Sequence, residues 1–357
     1  MRKYQCFECL DDMFNAGYKA PADVRRFAEE VGFETIFFFS WGERSGIKRI
    51  YGHARRFAEW LLFFLRIKRG SILLLQFPYV RAGMPYRFAF LKLIKKLKKV
   101  RIITLVHDVN ELRYERYDKE KLLLDNAVRL SDILIVHNKR MRSYFESERD
   151  VPSERLVELE MFDYFTEHDG AGNADSFEKS LVIAGNLDVN KCPYLARLNE
   201  FEGVTFHLYG KDYVFADSDS KNIVYHGVFD SAEITSQLVS GFGLVWDGTR
   251  ADTCEGLYGN YLRYNNPHKL ALYIVAGLPV VIWDESACAD FVRANGLGIC
   301  VPSIGEAVQK INSITLSEYQ AMRASCIALA ERMRHGFFIK RALDAAVGSL
   351  ESLSPTP

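Results

Sequence analysis

The sequence predicts an α/β protein of two doubly wound parallel-sheet domains, and three observations carry the prediction. Short apolar runs alternate with helix-length patterns along almost the whole chain. The runs are hydrophobic nearly throughout, as strands covered on both faces are. The alternation stops at a polar stretch, Thr166-Glu167-His168-Asp169-Gly170-Ala171-Gly172-Asn173-Ala174-Asp175-Ser176, and then restarts.

In the first half the predicted strands are residues 4–9, 35–39, 71–76, 101–107 and 133–137; Ile72-Leu73-Leu74-Leu75 and Ile133-Leu134-Ile135-Val136 are apolar without a break. Helical patterns at 22–31, 54–66, 86–98 and 119–130 lie between them, the spacing of βαβ units. After the polar stretch, strands are expected at 180–184, 204–209, 223–225, 243–246, 279–282 and 299–301. The intervening helices are expected at 193–201, 232–238, 267–276, 288–295 and 305–314. A long helical pattern, interrupted at Gly336, runs from Ser317 to about Leu350. The expected organisation is a first domain at 1–165, a linker at 166–178, a second domain at 179–316 and a helical tail at 317–357.

With 48% apolar and 26% charged residues in 357, the composition is that of a soluble protein large enough for two cores. The N-terminus reads Met1-Arg2-Lys3-Tyr4-Gln5, and no apolar run reaches the roughly 18 residues of a membrane span, so a cytoplasmic location is expected. Seven scattered cysteines fit reduced thiols. Cys6 and Cys9 form a C-x-x-C with neither a second pair nor nearby histidines, which reads as part of a strand rather than a metal or redox site. Net charge is zero, yet residues 1–165 hold 31 Lys+Arg against 23 Asp+Glu, and the remainder 15 against 23. Between Arg44 and Arg101 stand 16 basic residues and one acid, Glu59, a field that points to an anionic partner.

The most specific local signal is Asn265-Asn266-Pro267-His268-Lys269, followed by an apolar stretch at 270–276 and by Gly277-Leu278-Pro279-Val280-Val281-Ile282. It predicts a polar N-cap, a proline in the first turn, two turns of helix, a glycine stop and a buried strand. The unpaired N–H groups of such a helix, with Lys269 beside them, suit a phosphate; an ordinary capped helix is the alternative. Lys269 opposes the helix dipole there, so an anion is expected to compensate it. Other strand ends carry Gly185-Asn186-Leu187 with Lys191, Gly210-Lys211 and Trp246-Asp247-Gly248. Glycine lets backbone approach an anion, and lysine supplies a point charge. Singly each is more often a plain turn, but jointly they describe one anion-binding cleft at the carboxyl ends of an open sheet. None is a P-loop or a G-x-G-x-x-G.

Gly185-Asn186-Leu187 with Lys191, Leu244-Val245-Trp246-Asp247-Gly248, and Tyr261-Leu262-Arg263-Tyr264-Asn265-Asn266-Pro267-His268-Lys269-Leu270 with Tyr273 and Ala276-Gly277-Leu278-Pro279-Val280 resemble the GT-B glycosyltransferases. Within them the chain is most similar to the bacterial β-1,6-galactofuranosyltransferase-like family, which includes the glucosyltransferase of serine-rich adhesin glycosylation. The match is most specific over 180–300; in the first half, residues 15–24 and Val106-His107-Asp108-Val109-Asn110-Glu111-Leu112-Arg113 resemble that family's acceptor-side loops. The resemblance implies two Rossmann-like domains facing across a cleft, the second holding a UDP-sugar, and a tail helix that returns to the first. The implied reaction moves a hexosyl group (galactofuranose, galactose or glucose) to a glycan acceptor. That acceptor is lipid-linked in cell-surface polysaccharide synthesis or, alternatively, N-acetylglucosamine on a serine-rich adhesin. Implied donor contacts are Gly185, Asn186, Lys191, Gly210, Asp247, Asn266, Pro267, His268, Lys269 and Tyr273; implied acceptor-side residues are Asp12, Ala16, Gly17 and Glu111. Commoner GT-B enzymes carry a ribose-binding glutamate where this chain has Leu272, which leaves Asn266 and Tyr273 as ribose candidates.

Glycosyl transfer leaves a diphosphate, whose charge would fall on Lys191, Lys269 and the helix start at 266–268, with no metal or cofactor expected. Asp217-x-Asp219 resembles the metal-binding pair of the other large glycosyltransferase class, but its setting at 216–222 is a polar turn. Inversion at the sugar needs a general base, and Asp108 and His107 are the first choices, with Asp12 and Glu111 behind them. Asp108 as an N-cap or Asx turn is the alternative, and retention would need no such base.

The basic segment at 44–101 fits peripheral contact with the inner face of the plasma membrane. In 86–98, Tyr86, Phe90, Leu93, Ile94 and Leu97 are expected to face a core, while Arg87, Lys92, Lys95, Lys96 and Lys99 face outward; Trp60, Phe63, Phe64, Phe88 and Phe90 would rest on the anionic leaflet. A nucleic-acid-binding protein would use the same charge, but no nucleic-acid module is recognisable and the anion cleft would have no purpose, so nucleic acid is not expected as a partner. A catalytically idle scaffold and a homo-oligomer both remain open.

Overall fold

A computed structural model of the chain describes residues 1–9, 16–39, 47–79, 85–113, 117–168, 177–214 and 221–352. Asp12, Arg44, Arg81, the Asp217 and Asp219 pair and most of the expected linker lie outside them. The chain divides into two compact units, Met1–Leu159 with Phe338–Pro357, and Glu160–Phe337.

The first unit runs β1 (Lys3–Cys9), α1 (Ala16–Glu30), β2 (Phe33–Phe39), α2 (Ile47–Arg66), β3 (Ile72–Phe77), α3 (Pro85–Lys98), β4 (Arg101–Val106), α4 (Tyr117–Leu130), β5 (Ile133–Val136), α5 (Lys139–Arg149) and β6 (Leu156–Glu158). Its strands form one sheet in the order β2-β1-β3-β4-β5-β6, every pair parallel. Ile72, Leu73, Leu74, Ile102, Ile103 and the whole of β5 are buried, which is why these strands read as unbroken apolar runs. Two elements went unpredicted, the polar α5 and the three-residue β6. Asn138 starts α5 by accepting from the N–H groups of Arg140 and Met141.

The second unit runs β7 (Ser180–Ala184), a 3-10 stretch (Pro193–Glu200), β8 (Thr205–Tyr209), β9 (Ile223–Gly227), α6 (Ile234–Gln237), β10 (Phe242–Val245), α7 (Gly256–Tyr261), α8 (His268–Val275), β11 (Val280–Trp283), α9 (Ala289–Ala294), β12 (Gly298–Val301), α10 (Ile304–Ser313) and α11 (Leu316–Arg334). The order is β12-β11-β10-β7-β8-β9, again all parallel. Its core gathers Leu181, Ile183, Phe206, Leu244, Trp246 and Trp283.

Several expectations need correction. The first unit ends at Leu159 rather than at residue 165, because the following residues are built into the second: Tyr164 donates to the Ser231 carbonyl at 2.8 Å, and the Thr166 and Thr235 hydroxyls meet at 2.9 Å. The tail divides. α11 stays with the second unit, where buried Tyr319 stacks on Phe177 at 4.6 Å and meets Phe242 edge-on. Only the last helix, α12 (Phe337–Ser352), carries the chain into the first unit, through a Lys340–Glu30 ion pair and Arg101 donating to the Leu350 carbonyl. Gly336, at φ +72°, takes the left-handed conformation that breaks the two helices apart. Residues 16–24 are helix rather than loop, reinforced by the buried Lys19–Asp23 pair one turn apart. Trp60, Phe63 and Phe90, expected at a membrane, are core residues, while Leu93 and Leu97 are exposed and Arg87 is buried against Glu8. Among the described residues no helix is long and apolar enough to cross a membrane.

Candidate active site

The second sheet changes direction between β7 and β10, which pair through Leu181 with Phe242 and Val182 with Gly243. Ligands of open α/β sheets bind beyond the carboxyl ends at such a switch point. The loop after β7 carries Gly185 and Asn186, the loop after β10 carries Trp246 and Asp247, and α8 follows.

Pro267 rather than Asn266 is the N-cap of α8, at φ −66° and ψ 129°, with no side-chain cap. Proline suits the place because its ring already holds the required φ and it has no N–H to leave unpaired. Asn266 turns inward instead. It is buried, its amide donates to the Glu160 carbonyl at 3.1 Å and its oxygen accepts from the Cys288 thiol at 3.2 Å. His268 lies between the rings of Phe162 and Tyr164, at 5.7 and 5.3 Å.

Lys269 does have an anion beside it, and the anion belongs to the chain. Its ammonium donates to the Trp246 carbonyl and to Asp247, each at 2.9 Å. Burial, the largest single influence, depresses the lysine, but the Asp247 carboxylate together with Cys192 and Tyr273 outweighs it and holds the lysine above its ordinary range. These contacts engage two of its three ammonium N–H groups. Cys192 belongs to the same cluster: burial first, then Asp247, pushes its thiol up to about 11 against the pull of Lys269 and Lys191. The Lys191 ammonium lies 5.6 Å from the centre of the Tyr258 ring on α7. Lys191 and Lys269 with Asp247 and Asp188 thus gather around Cys192 at one edge of the sheet. Neither Asp247 as a partner nor Tyr258 as a platform is signalled locally, since each pairing joins residues far apart in sequence.

The glycines divide by what surrounds them. A Cβ on Gly210 would stand 1.7 Å from the Gly185 carbonyl oxygen, so backbone packing demands that glycine. Gly185 has φ +139° and nothing within 4 Å of where its Cβ would be, which leaves room beside the loop. Asn186 shapes that loop by accepting from the Asp188 N–H at 2.8 Å. Tyr273 is a prop within the unit. Its hydroxyl accepts from the Ala184 N–H at 2.8 Å, burial pushes it up to about 12, and its ring fills the space a Cβ on Gly243 would need. Both ribose candidates, Asn266 and Tyr273, therefore direct their polar atoms into the protein.

At the carboxyl edge of the first sheet, His107 bonds Gln76 through Nε2 at 2.7 Å and its N–H donates to the Phe77 carbonyl at 2.6 Å. Asp108 accepts from Arg113 at 2.8 Å and remains partly exposed; Val109, not Asp108, precedes the 3-10 turn Asn110–Leu112. Glu111 is buried against Arg149. Burial first, then Asp125, pushes its carboxyl up to about 7 against the pull of Lys121. Gly17 is an exposed position of α1, which also includes Ala16.

Two family models cover most of the chain: the glucosyltransferase 3-like N-terminal domain matches residues 7–161, and the glucosyltransferase 3-like C-terminal domain matches residues 181–346. The chain is 32% identical over 232 residues to the β-1,6-galactofuranosyltransferase WbbI of Escherichia coli K12, covering 64% of this chain and 67% of that one. It is 26% identical over 333 residues to glucosyltransferase 3 of Streptococcus gordonii, covering 92% and 93%. Among solved structures, the lipopolysaccharide outer core galactosyltransferase WaaB aligns with TM-score 0.63 at 13% identity, over 98% of this chain and 99% of that one. HepE of Anabaena in complex with UDP aligns with TM-score 0.59 at 11% identity, over 98% and 100%. By these matches, with two parallel six-stranded Rossmann-like sheets, the chain belongs to the glucosyltransferase 3-like family and is a glycosyltransferase of GT-B fold.

Proposed function

We propose that the protein transfers a hexosyl group from a UDP-sugar to a glycan acceptor, with the donor diphosphate held at the carboxyl edge of β7 and β10. The observation that carries this reading is the two lysines at the switch point, Lys191 and the Asp247-anchored Lys269, beside the first turn of α8 and the open space at Gly185. A diphosphate leaving group gains negative charge as the glycosidic bond breaks, and these groups would meet it without reorganising. The Lys269–Asp247 pair is close to neutral, so its part is to fix the donor loop, while Lys191 is the proposed cationic contact to the diphosphate. The relatives support hexosyl transfer through their names, one a galactofuranosyltransferase and one a glucosyltransferase, and HepE has been solved with UDP and with UDP-glucose. For an inverting reaction Asp108 is the proposed base, oriented by Arg113. Transfer is proposed to need no metal ion and to persist in chelator.

Calorimetry with UDP, followed by a turnover screen of UDP-galactofuranose, UDP-glucose, UDP-galactose and UDP-N-acetylglucosamine, tests the donor. UDP is expected to bind, and Lys191→Ala to weaken it by about 1–2 kcal/mol, roughly 5- to 30-fold, with stability unchanged. No heat at millimolar UDP would sink the reading and favour an idle scaffold.

A further inference from the structure

The outward face of α2 is apolar along its length. With 3.6 residues per turn, Ile50, Ala54, Phe57, Ala58, Leu61 and Leu65 share one side of the helix, and all six are exposed, Ile50 at 70% and Leu65 at 64%. The opposite side is the ordinary core face, where Trp60 meets Phe38 at 4.6 Å and Phe90 at 6.1 Å. A helix on a soluble protein normally carries its charges at the centre of its solvent side. This one carries leucines there, and a contiguous patch of that kind marks an interaction surface.

α3 lies alongside. Phe57 meets Tyr86 and Phe90 at 6.2 and 5.4 Å, and the Lys98 ammonium lies 5.1 Å from the Phe64 ring. That alignment sets exposed Leu93 and Leu97 beside the α2 stripe, with Lys92, Lys96 and Lys99 exposed at its margin. None of these three lysines has an ion pair among the described residues. The one acid between Arg44 and Arg101, Glu59, is already matched by Arg55 at 3.2 Å.

We propose that α2 and α3 form a docking face for an anionic lipid leaflet, the α2 stripe entering among the acyl chains and Lys92, Lys96 and Lys99 meeting the headgroup phosphates. Charge decides the occupant. An apolar helix face bordered by unpaired lysines is the chemistry of interfacial binding to acidic lipid. A second copy of the chain across a two-fold axis would bring the same lysines to the same interface, where the one acid of α2 and α3, Glu59, is already matched by Arg55. A nucleic acid would leave the leucines in water. The inference stands apart from the donor reading, since lipid binding requires no turnover.

Cosedimentation with phosphatidylcholine vesicles, with and without phosphatidylglycerol and over a salt series, tests it. The protein is expected to pellet with the phosphatidylglycerol vesicles and to be released progressively by salt. The double variant Leu61→Glu with Leu65→Glu should lose about tenfold or more in vesicle affinity. Lys92→Glu with Lys96→Glu should lose at least about tenfold and abolish the preference for phosphatidylglycerol. Both double variants should keep the wild-type melting temperature, because all four side chains are exposed. The proposal is overturned if the wild type stays in the supernatant with phosphatidylglycerol vesicles, or if the leucine variant binds as well as the wild type. It is equally overturned if sedimentation velocity shows oligomers that the leucine variant dissolves while vesicle binding is absent.

Discussion

At the carboxyl edge of the second sheet Lys191 and Lys269 gather with Asp247 and Asp188 around Cys192, and Gly185 leaves room beside them. At the corresponding edge of the first sheet, Asp108, Glu111 and His107 are matched with Arg113, Arg149 and Gln76. Both edges follow parallel strands in sheets of the same size, so topology does not separate them. Space does: the first edge closes its carboxylates into ion pairs, whereas the second has open backbone at Gly185 beside two lysines. The consequence is that substitutions at the second edge should cost more, in fold and in donor binding, than those at the first.

Gly210→Ala should give the largest effect. Its Cβ would meet the Gly185 carbonyl oxygen at 1.7 Å, at a backbone φ of +147° that alanine rarely adopts. Strain and displacement of the β7 loop together should cost about 4 kcal/mol or more, measured by urea unfolding, and should abolish UDP binding. Near-wild-type stability would show that the second edge is softer than it looks.

Asp247→Ala comes next. It leaves the Lys269 ammonium with only a carbonyl partner in a sheltered site, at a cost of about 3 kcal/mol. Pairing it with Lys269→Met should recover part of that stability without recovering donor binding, a double-mutant cycle that separates support from recognition.

Acid acts on the first unit through His137. Burial lowers its imidazole to about 4, against the pull of hydrogen bonds to the Val106 and His107 backbone. The folded-state value lies below the unfolded one, so the imidazole is neutral in both states above about pH 6.5. As pH falls from there towards 4 the unfolded chain takes up a proton that the folded chain refuses, and stability is lost by about 3 kcal/mol at most. His137→Gln should flatten the profile in that window, read from urea midpoints. In the second unit His207 is lowered to about 4 by burial and by His226 at 2.9 Å, and it should lose stability over the same range.

How much of this could be read from the chain depends on the range of the signal. α8 with its strand was legible because the proline and the glycine stop act within a turn, and the buried strands because they are apolar on both faces. Asp247 was legible as a strand-end residue but not as the partner of Lys269, 22 positions away, because only the packing of α8 against β10 brings them together. α5 was missed because Lys139–Arg149 is too charged to show an apolar period, and β6 because three residues carry no period at all. The apolar side of α2 shows a different limit. Periodicity tells which residues share a face, but not which faces the fold leaves uncovered, so buried Trp60 and Phe63 were assigned to the surface that Leu61 and Leu65 occupy.

The smallest stability effect is expected at the first edge, and it is the most direct test of the contrast. Asp108 and Arg113 form a pair with both side chains partly in solvent, so Asp108→Asn should cost no more than about 1 kcal/mol. If Asp108 is the base of an inverting transfer, the same variant should lower kcat by about a hundredfold or more while leaving UDP binding and the affinity for the acceptor nearly unchanged. A product of retained configuration, or a kcat within a fewfold of wild type, would place Asp108 with Glu111 among the carboxylates that serve the fold. His107, bonded to Gln76, would then be the remaining described candidate base at the first edge.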